Sequence, residues 1–316
     1  MGNTLPTVWL NQGMTKSGRI DFPSRIGVWW ASDTWPMPAA QEVARDIEAM
    51  GYGSLFLPEI GFKDALVESA AFLEATDRLV VGTGIANIHA RIPETAEGAG
   101  RTLTALYPGR FVYGLGVSHG PLVQRLGIEY DKPLATMRNY LQRMAALPEV
   151  IEPGSGRPTR LLAALGPKMI ELSGTMADGA HPYLTTPEHT RTAREILGPD
   201  KWVIPEQGVV VGHDDAEQLR RAHLYLQIYS GLPNYRNSWK RLGFDESDFV
   251  PGGSEKLARG VVGMGSVEQA AATVTAHLDA GADHVLVQVL GDGNPAWDPR
   301  PALRELAGVF GLGTTA

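Results

Sequence analysis

Short apolar runs alternate with segments of helical period along nearly the whole chain. The runs are RIGVWW (25–30), SLFLPE (54–59), RLVVGTGI (78–85), FVYGLGV (111–117), LLAAL (161–165), DGAHPYL (178–184), KWVIPEQGVVVG (201–212) and HVLVQVL (284–290). Near-continuous apolar runs of this length read as strands buried on both faces, and strands that alternate with helices run parallel. The intervening segments carry the matching helical stripes. Val43, Ile47 and Met50 recur at helical spacing before Gly51, Leu66, Ala70 and Leu73 share one face, and Ala96, Ala99, Leu103 and Leu106 follow Pro93 at its first-turn position. Thr186 is placed to cap a helix to Leu197, and Ser266 opens another. A long helical stretch from Asp214 to about Leu242 is broken near GLPN. No Ser/Pro-rich linker divides the 316 residues, so the pattern predicts α/β architecture: one (β/α)8 TIM-barrel domain over residues 1–316. A glycine-rich insertion before strand eight, 243–265, is expected to cover the mouth.

Composition narrows the partners. The net charge of -7 and scattered Lys and Arg residues argue against a nucleic-acid surface, leaving a small-molecule ligand. The chain has no cysteine, which excludes disulfides, thiolate metal sites and a cysteine nucleophile. The opening MGNTLPTVWLNQGMTKSGRI has no charged segment followed by an apolar one, and no apolar run reaches the ~18 residues of a membrane span. A cytoplasmic protein without membrane contact is expected.

In parallel barrels the reacting groups gather at the C-terminal strand ends. Here those ends present Trp29, Trp30 and Trp35, then Glu59, then Asn87, His89 and Arg91, then Ser118 and His119. The later strands add Gly166, Pro167 and Lys168, His181 and Tyr183, Glu206 and Gln207, and Asp292 and Asn294. Trp29 and Trp30 are neighbours on one strand and point to opposite faces, so one of them packs between strand and helices. Flat aromatic surfaces mixed with hydrogen-bonding groups suit a planar ligand. GLGVSHG (114–120) lacks the spacing of a dinucleotide fingerprint. His89, His119, His181 and His284 come without a metal-site pattern, and no metal is expected. Glu59 and Glu206 could pair as a glycosidase acid and base. In LLAALGPKMIEL a strand ends at Leu-Gly and Pro167 opens a helix, leaving free N–H groups and a positive dipole end at the mouth. That is a phosphate seat, and a planar ring with a phosphate describes a flavin-type nucleotide.

Four stretches carry a resemblance: GYGSLFLPE, VGTGIANIHARIPETAEGAGRTLTALYPGRFVYGLGVS, RLLAALGPKMIELSGTMADGAHPYLTTPEHTRTAREILG and AGADHVLVQVL. Across roughly residues 25 to 310 the chain resembles the bacterial luciferase-like monooxygenases, in particular their actinobacterial branch that uses the deazaflavin coenzyme F420. The resemblance implies a cis peptide at Gly84–Ile85 against the middle of the ring. It also implies Val117 and Ser118 beside the ring or its ribityl chain, Ala164, Gly166 and Pro167 at the phosphate, and Tyr183 along the tail. The Asp-His pair some relatives carry after strand two is replaced by Pro58-Glu59-Ile60. The proton donor is then sought among Glu59, His89 and His119. The implied activity is hydride transfer between F420 and a small organic substrate, with FMN as the alternative cofactor of a monooxygenase and a non-catalytic flavin- or deazaflavin-binding barrel as the other reading. The same resemblance implies a homodimer.

Overall fold

The computed structural model describes residues 20–148, 156–212 and 214–313. The first nineteen residues, and half of the loop-like tract LPEVIEPGSGRPTR (147–160), lie outside them. The strands are β1 (Ile26–Trp29), β2 (Ser54–Leu57), β3 (Val80–Thr83), β4 (Ala86–Asn87), β5 (Phe111–Gly116), β6 (Thr159–Leu162), β7 (Gly179–Ala180), β8 (Trp202–Val203), β9 (Glu206–Val209) and β10 (Val285–Val289). All pair in parallel, in the order β8-β7-β6-β5-β3-β2-β1-β10-β9, with β4 also on β5.

The two ends of that order, β8 and β9, belong to one stretch of chain interrupted at Ile204–Pro205. Proline has no N–H for a ladder, so the strand breaks there and changes partner. Its first part lies on β7, Ile204 N–H still donates to Ala180 O, and Pro205 O accepts from Leu286 N–H as the second part takes up β10. The hydrogen-bonded circuit thus returns to β1, curling the sheet in the manner of a TIM-like barrel. β3 and β4 are likewise one strand, broken at Gly84–Ile85, so eight expected strands appear as ten segments. The expected LLAAL strand sits earlier, at Thr159–Leu162, because Ala163 to Gly166 already form the exit to the helix Pro167–Met176. The 214–242 stretch is two helices, Asp215–Tyr229 and Pro233–Arg241, and the glycine-rich segment after it holds the helix Glu255–Val261.

Strand alternation sorts the core into layers. Ile26, Val28, Trp30, Leu55, Leu57, Val81, Tyr113, Leu162 and Val285 pack outward with helix residues such as Val43, Ile47 and Phe72. Trp29, Phe56, Val80, Val112, Leu161, Ile204 and Leu286 pack with one another inside the barrel. Of the tryptophan pair, Trp29 is therefore the inward one, and Trp30 meets Phe72 and Trp35. A third cluster, including Leu184, Val210, Leu226, Tyr235, Trp239 and Leu257, ties the helices of the 215–261 region to the mouth.

Candidate active site

The inward positions one step beyond that inner layer form the floor of the mouth. On the β3–β5–β6 side they are Gly84, Gly114, Gly116 and Ala163. A Cβ on Gly84 would stand 2.7 Å from Trp29 Nε1 and 3.0 Å from His181 Nε2. One on Gly116 would stand 2.5 Å from Ile85 Cδ1, so the Ile85 side chain lies on Gly116 beside Ala163. The Gly84–Ile85 peptide is cis, at the bond the resemblance singles out, and Gly84 O accepts from Trp29 Nε1 at 2.8 Å. His181 is 1% exposed. Its Nδ1 donates to Ile204 O at 2.7 Å, which leaves Nε2 as a lone-pair acceptor with no partner among the described residues. Burial holds its pKa down to about 4, so the ring is neutral at pH 7.

The opposite wall is phenolic. The Tyr183 ring lies 5.1 Å from that of Trp29, and its hydroxyl donates to Gln288 Oε1 at 2.8 Å. Tyr229 donates to the Tyr183 oxygen at 3.2 Å, and Tyr225 reaches both Gln288 Oε1 at 3.4 Å and Glu206 Oε1 at 3.5 Å. Tyr225 and Tyr229 sit four apart on the helix Asp215–Tyr229 and so share a face. Glu206 is wholly buried, accepts Leu184 N–H at 2.9 Å, and has its pKa pushed up to about 8 by burial.

Glu59 is committed elsewhere. Both its oxygens accept from the Arg91 guanidinium, Oε2 also accepts Asn87 N–H at 2.8 Å, and Arg91 further binds Asp64. The carboxylate thereby ties the exit of β2 to the bend after β4, while Glu206 is held apart from it by Leu184 N–H and Tyr225. His89 and His119 stand at neighbouring exits. His89 is half-buried and faces Tyr130, with ring centroids 6.3 Å apart, and His119 faces Tyr235 at 5.7 Å. Burial lowers both pKa values, favouring neutral rings. Val117 and Ser118 lead into His119, Ser118 in the left-handed region at φ 56°.

At the next exit, Gly166 precedes the helix Pro167–Met176, whose first N–H groups have no side-chain cap. The nearest heavy atom to a Cβ on Gly166 would be Arg241 Nη2, at 3.8 Å. That guanidinium donates to Leu165 O at 3.0 Å, as does the His189 Nε2 at 2.9 Å, and pairs with no carboxylate among the described residues. The Ala164 side chain packs with Ile170, Ala180, Ala193 and Val203, leaving its backbone beside the turn into the helix.

The structure therefore brings Gly84 and Ile85 together on the floor, with Tyr183 reached through Trp29 on the facing wall, and Val117, Ser118, His89 and His119 along one rim. Gly166 and Pro167 stand at another rim. Tyr225, Tyr229, Gln288 and Arg241 were not anticipated. Their only sequence signal was the four-residue spacing of the two tyrosines, which core packing explains equally well. Among the described residues no group of three or more His, Cys, Asp or Glu could hold a metal ion, and no helix is long and apolar enough to cross a membrane.

A parallel α/β barrel that gathers polar and aromatic side chains at the C-terminal ends of its strands has the arrangement of the barrel enzymes. The family profile "Luciferase-like monooxygenase" matches residues 22–284, and the chain belongs to that family. One relative is the "Putative coenzyme F420-dependent oxidoreductase" of Mycobacterium tuberculosis, 27% identical over 204 residues, covering 55% of this chain and 58% of the relative. The match thus spans less than two thirds of that protein. Among solved structures, coenzyme F420 dependent tetrahydromethanopterin reductase from Methanopyrus kandleri superposes with TM-score 0.71 at 14% identity, over 89% of this chain and 96% of that one. The oxygenating constituent of 3,6-diketocamphane monooxygenase from Pseudomonas putida, in complex with FMN, gives 0.63 at 15% identity, over 89% and 95%. These two likenesses establish the shared fold.

Proposed function

We propose that the chain is an oxidoreductase that holds a deazaflavin of the F420 type in its mouth and exchanges a hydride with a small organic substrate. The observation that carries this is the floor itself. A neutral His181 Nε2 stands unpartnered beside Gly84, Trp29 and Ile85 close on Gly84 and Gly116 where no Cβ could stand, and the uncapped helix at Gly166 with Arg241 lies at a separate rim. These features fit a planar ring with a phosphate-bearing tail. When bound, such a group supplies the hydride donor or acceptor.

The chain's own residues position and shield. Ile85, Trp29 and Tyr183 line the ring site, Gly84 lets Trp29 and His181 close on the backbone there, and Val117 and Ser118 flank the ribityl chain. The backbone from Ala164 through Gly166 and Pro167, with Arg241, neutralises the phosphate. His89 and His119 face the substrate from the rim. Glu59, held by Arg91, braces the β2 and β4 exits. The chain is read as one barrel domain over 1–316, with 243–265 inserted over the mouth, working as a cytoplasmic homodimer.

An FMN-dependent monooxygenase is the second reading, favoured by the FMN-bound structural neighbour. A barrel that binds the cofactor without chemistry is the third. Fluorescence titration with F420 and with FMN separates them. Micromolar F420 binding followed by reduction of enones or ketones supports the proposal, preference for FMN favours the second, and binding without turnover favours the third. Failure to bind either overturns all three.

A further inference from the structure

Glu206 is a buried carboxyl group with no cation beside it. Among the described residues its hydrogen-bond partners are Leu184 N–H on Oε2 and the Tyr225 hydroxyl on Oε1, and it enters no ion pair. The ionisable groups that face it are phenols, Tyr183, Tyr225, Tyr229 and Tyr235, carried by the β7 exit and the two helices over the mouth. An ionised carboxylate in such a place would have neither water nor counter-charge. A protonated one has an acceptor at hand, because the Tyr225 oxygen accepts from Glu206 while its own O–H turns elsewhere. The Gln288 oxygen already receives Tyr183 at 2.8 Å, and Tyr225 approaches it only at 3.4 Å, so the Tyr225 proton is the one least firmly held. Tyr225 and Gln288 keep partial exposure while Glu206 has none, so the phenol is the member of the pair that a ligand can reach.

Resting on the hydride-transfer reading above, we propose that Glu206 and Tyr225 form the proton donor of this site. As the carbonyl carbon of a bound ketone or enone receives the hydride from the reduced cofactor, the electron pair left on oxygen takes the Tyr225 hydroxyl proton. The Tyr225 oxygen takes the Glu206 carboxyl proton in the same movement. The Glu206 carboxylate recovers a proton from solvent once product leaves. In the oxidation direction the same two protons run backward. Tyr225 is the group that meets the substrate, and Glu206 acts through it.

The protonation state is open to test without any cofactor. Infrared spectra of the ligand-free protein should contain a protonated-carboxyl C=O band that titrates near pH 8, persists in Tyr225→Phe and is missing from Glu206→Gln. Absence of that band at pH 7 overturns the proposal. With F420 bound, both variants should keep wild-type cofactor affinity and lose roughly 100-fold or more in kcat, the usual scale of a general acid. Glu206→Gln should also lose the alkaline limb of the wild-type rate profile. Wild-type turnover in both cofactor-loaded variants overturns the proposal and leaves the hydride-transfer reading intact. A wild-type protein that binds neither F420 nor FMN overturns that reading, and the donor assignment with it, whatever the infrared band shows of Glu206.

Discussion

Arg91 decides what Glu59 can do. A carboxylate that accepts a two-pronged guanidinium and a backbone N–H has its oxygens committed to bracing two strand exits. Glu59→Gln should therefore cost about 2–3 kcal/mol of stability, read as a lowered melting temperature, because it leaves Arg91 partly unpaired in a mostly buried position. The same substitution should change kcat by less than about tenfold, well short of a general acid's contribution. Gly114 shows a different dependence on a single atom. A Cβ there would lie 1.9 Å from Thr83 O, whose residue also donates through Oγ1 to Gly114 O at 2.6 Å. Gly114→Ala should force β3 and β5 apart and cost about 2–3 kcal/mol in urea denaturation. The position of Glu59 at a strand end was legible in sequence, but its partner was not. Arg91 lies 32 residues further on, and only the shared bend after β4 brings the two together.

At the scale of elements, the helix Pro167–Met176 was readable from Leu-Gly-Pro, since proline suits a first turn and glycine leaves the approach open. What completes its N-terminus is Arg241, from a helix over the mouth. Arg241→Ala should weaken binding of a phosphate-bearing cofactor about tenfold, near 1.4 kcal/mol, while the melting temperature stays within a degree or two. A titration in rising salt should shrink that difference, because the interaction is partly exposed. The broken strands have a similar history. Pro205 announces an interruption, but that its two sides serve two different neighbours follows from the circuit closing around the barrel.

The whole molecule carries opposing pH dependences. His181, His277 and His284 are neutral in the interior, with pKa values held by burial to about 4, 3 and 3, below the ordinary 6.5. The unfolded chain binds more protons below pH 6.5, so their contribution is complete above that pH and is lost as pH falls toward 3. His277 shows the arrangement, accepting from Thr190 at 2.7 Å while it donates to Gln207 at 2.9 Å. Glu206 works in the other sense. Its folded pKa lies above the ordinary 4.5, so the stability it adds is present below 4.5 and is lost as pH rises to about 8. Calorimetry should show the melting temperature falling steeply below pH 6.5. Between pH 4.5 and 8 the Glu206→Gln variant should gain on the wild type by a few kcal/mol.

The sequence by itself determined the parallel α/β order, because strand and helix periods are local and each apolar run must be covered on both faces. It also located the strand-end residues and the uncapped turn at Gly166, since both depend on neighbours within a few positions. The tertiary structure alone decided which of those residues face one another. Glu59 is taken by Arg91, the Ala164 side chain packs with Ile170 and Val203, and the buried acid is Glu206 within a ring of tyrosines from three separate elements. Pairing and desolvation depend on groups far apart in the chain, and no local pattern records them.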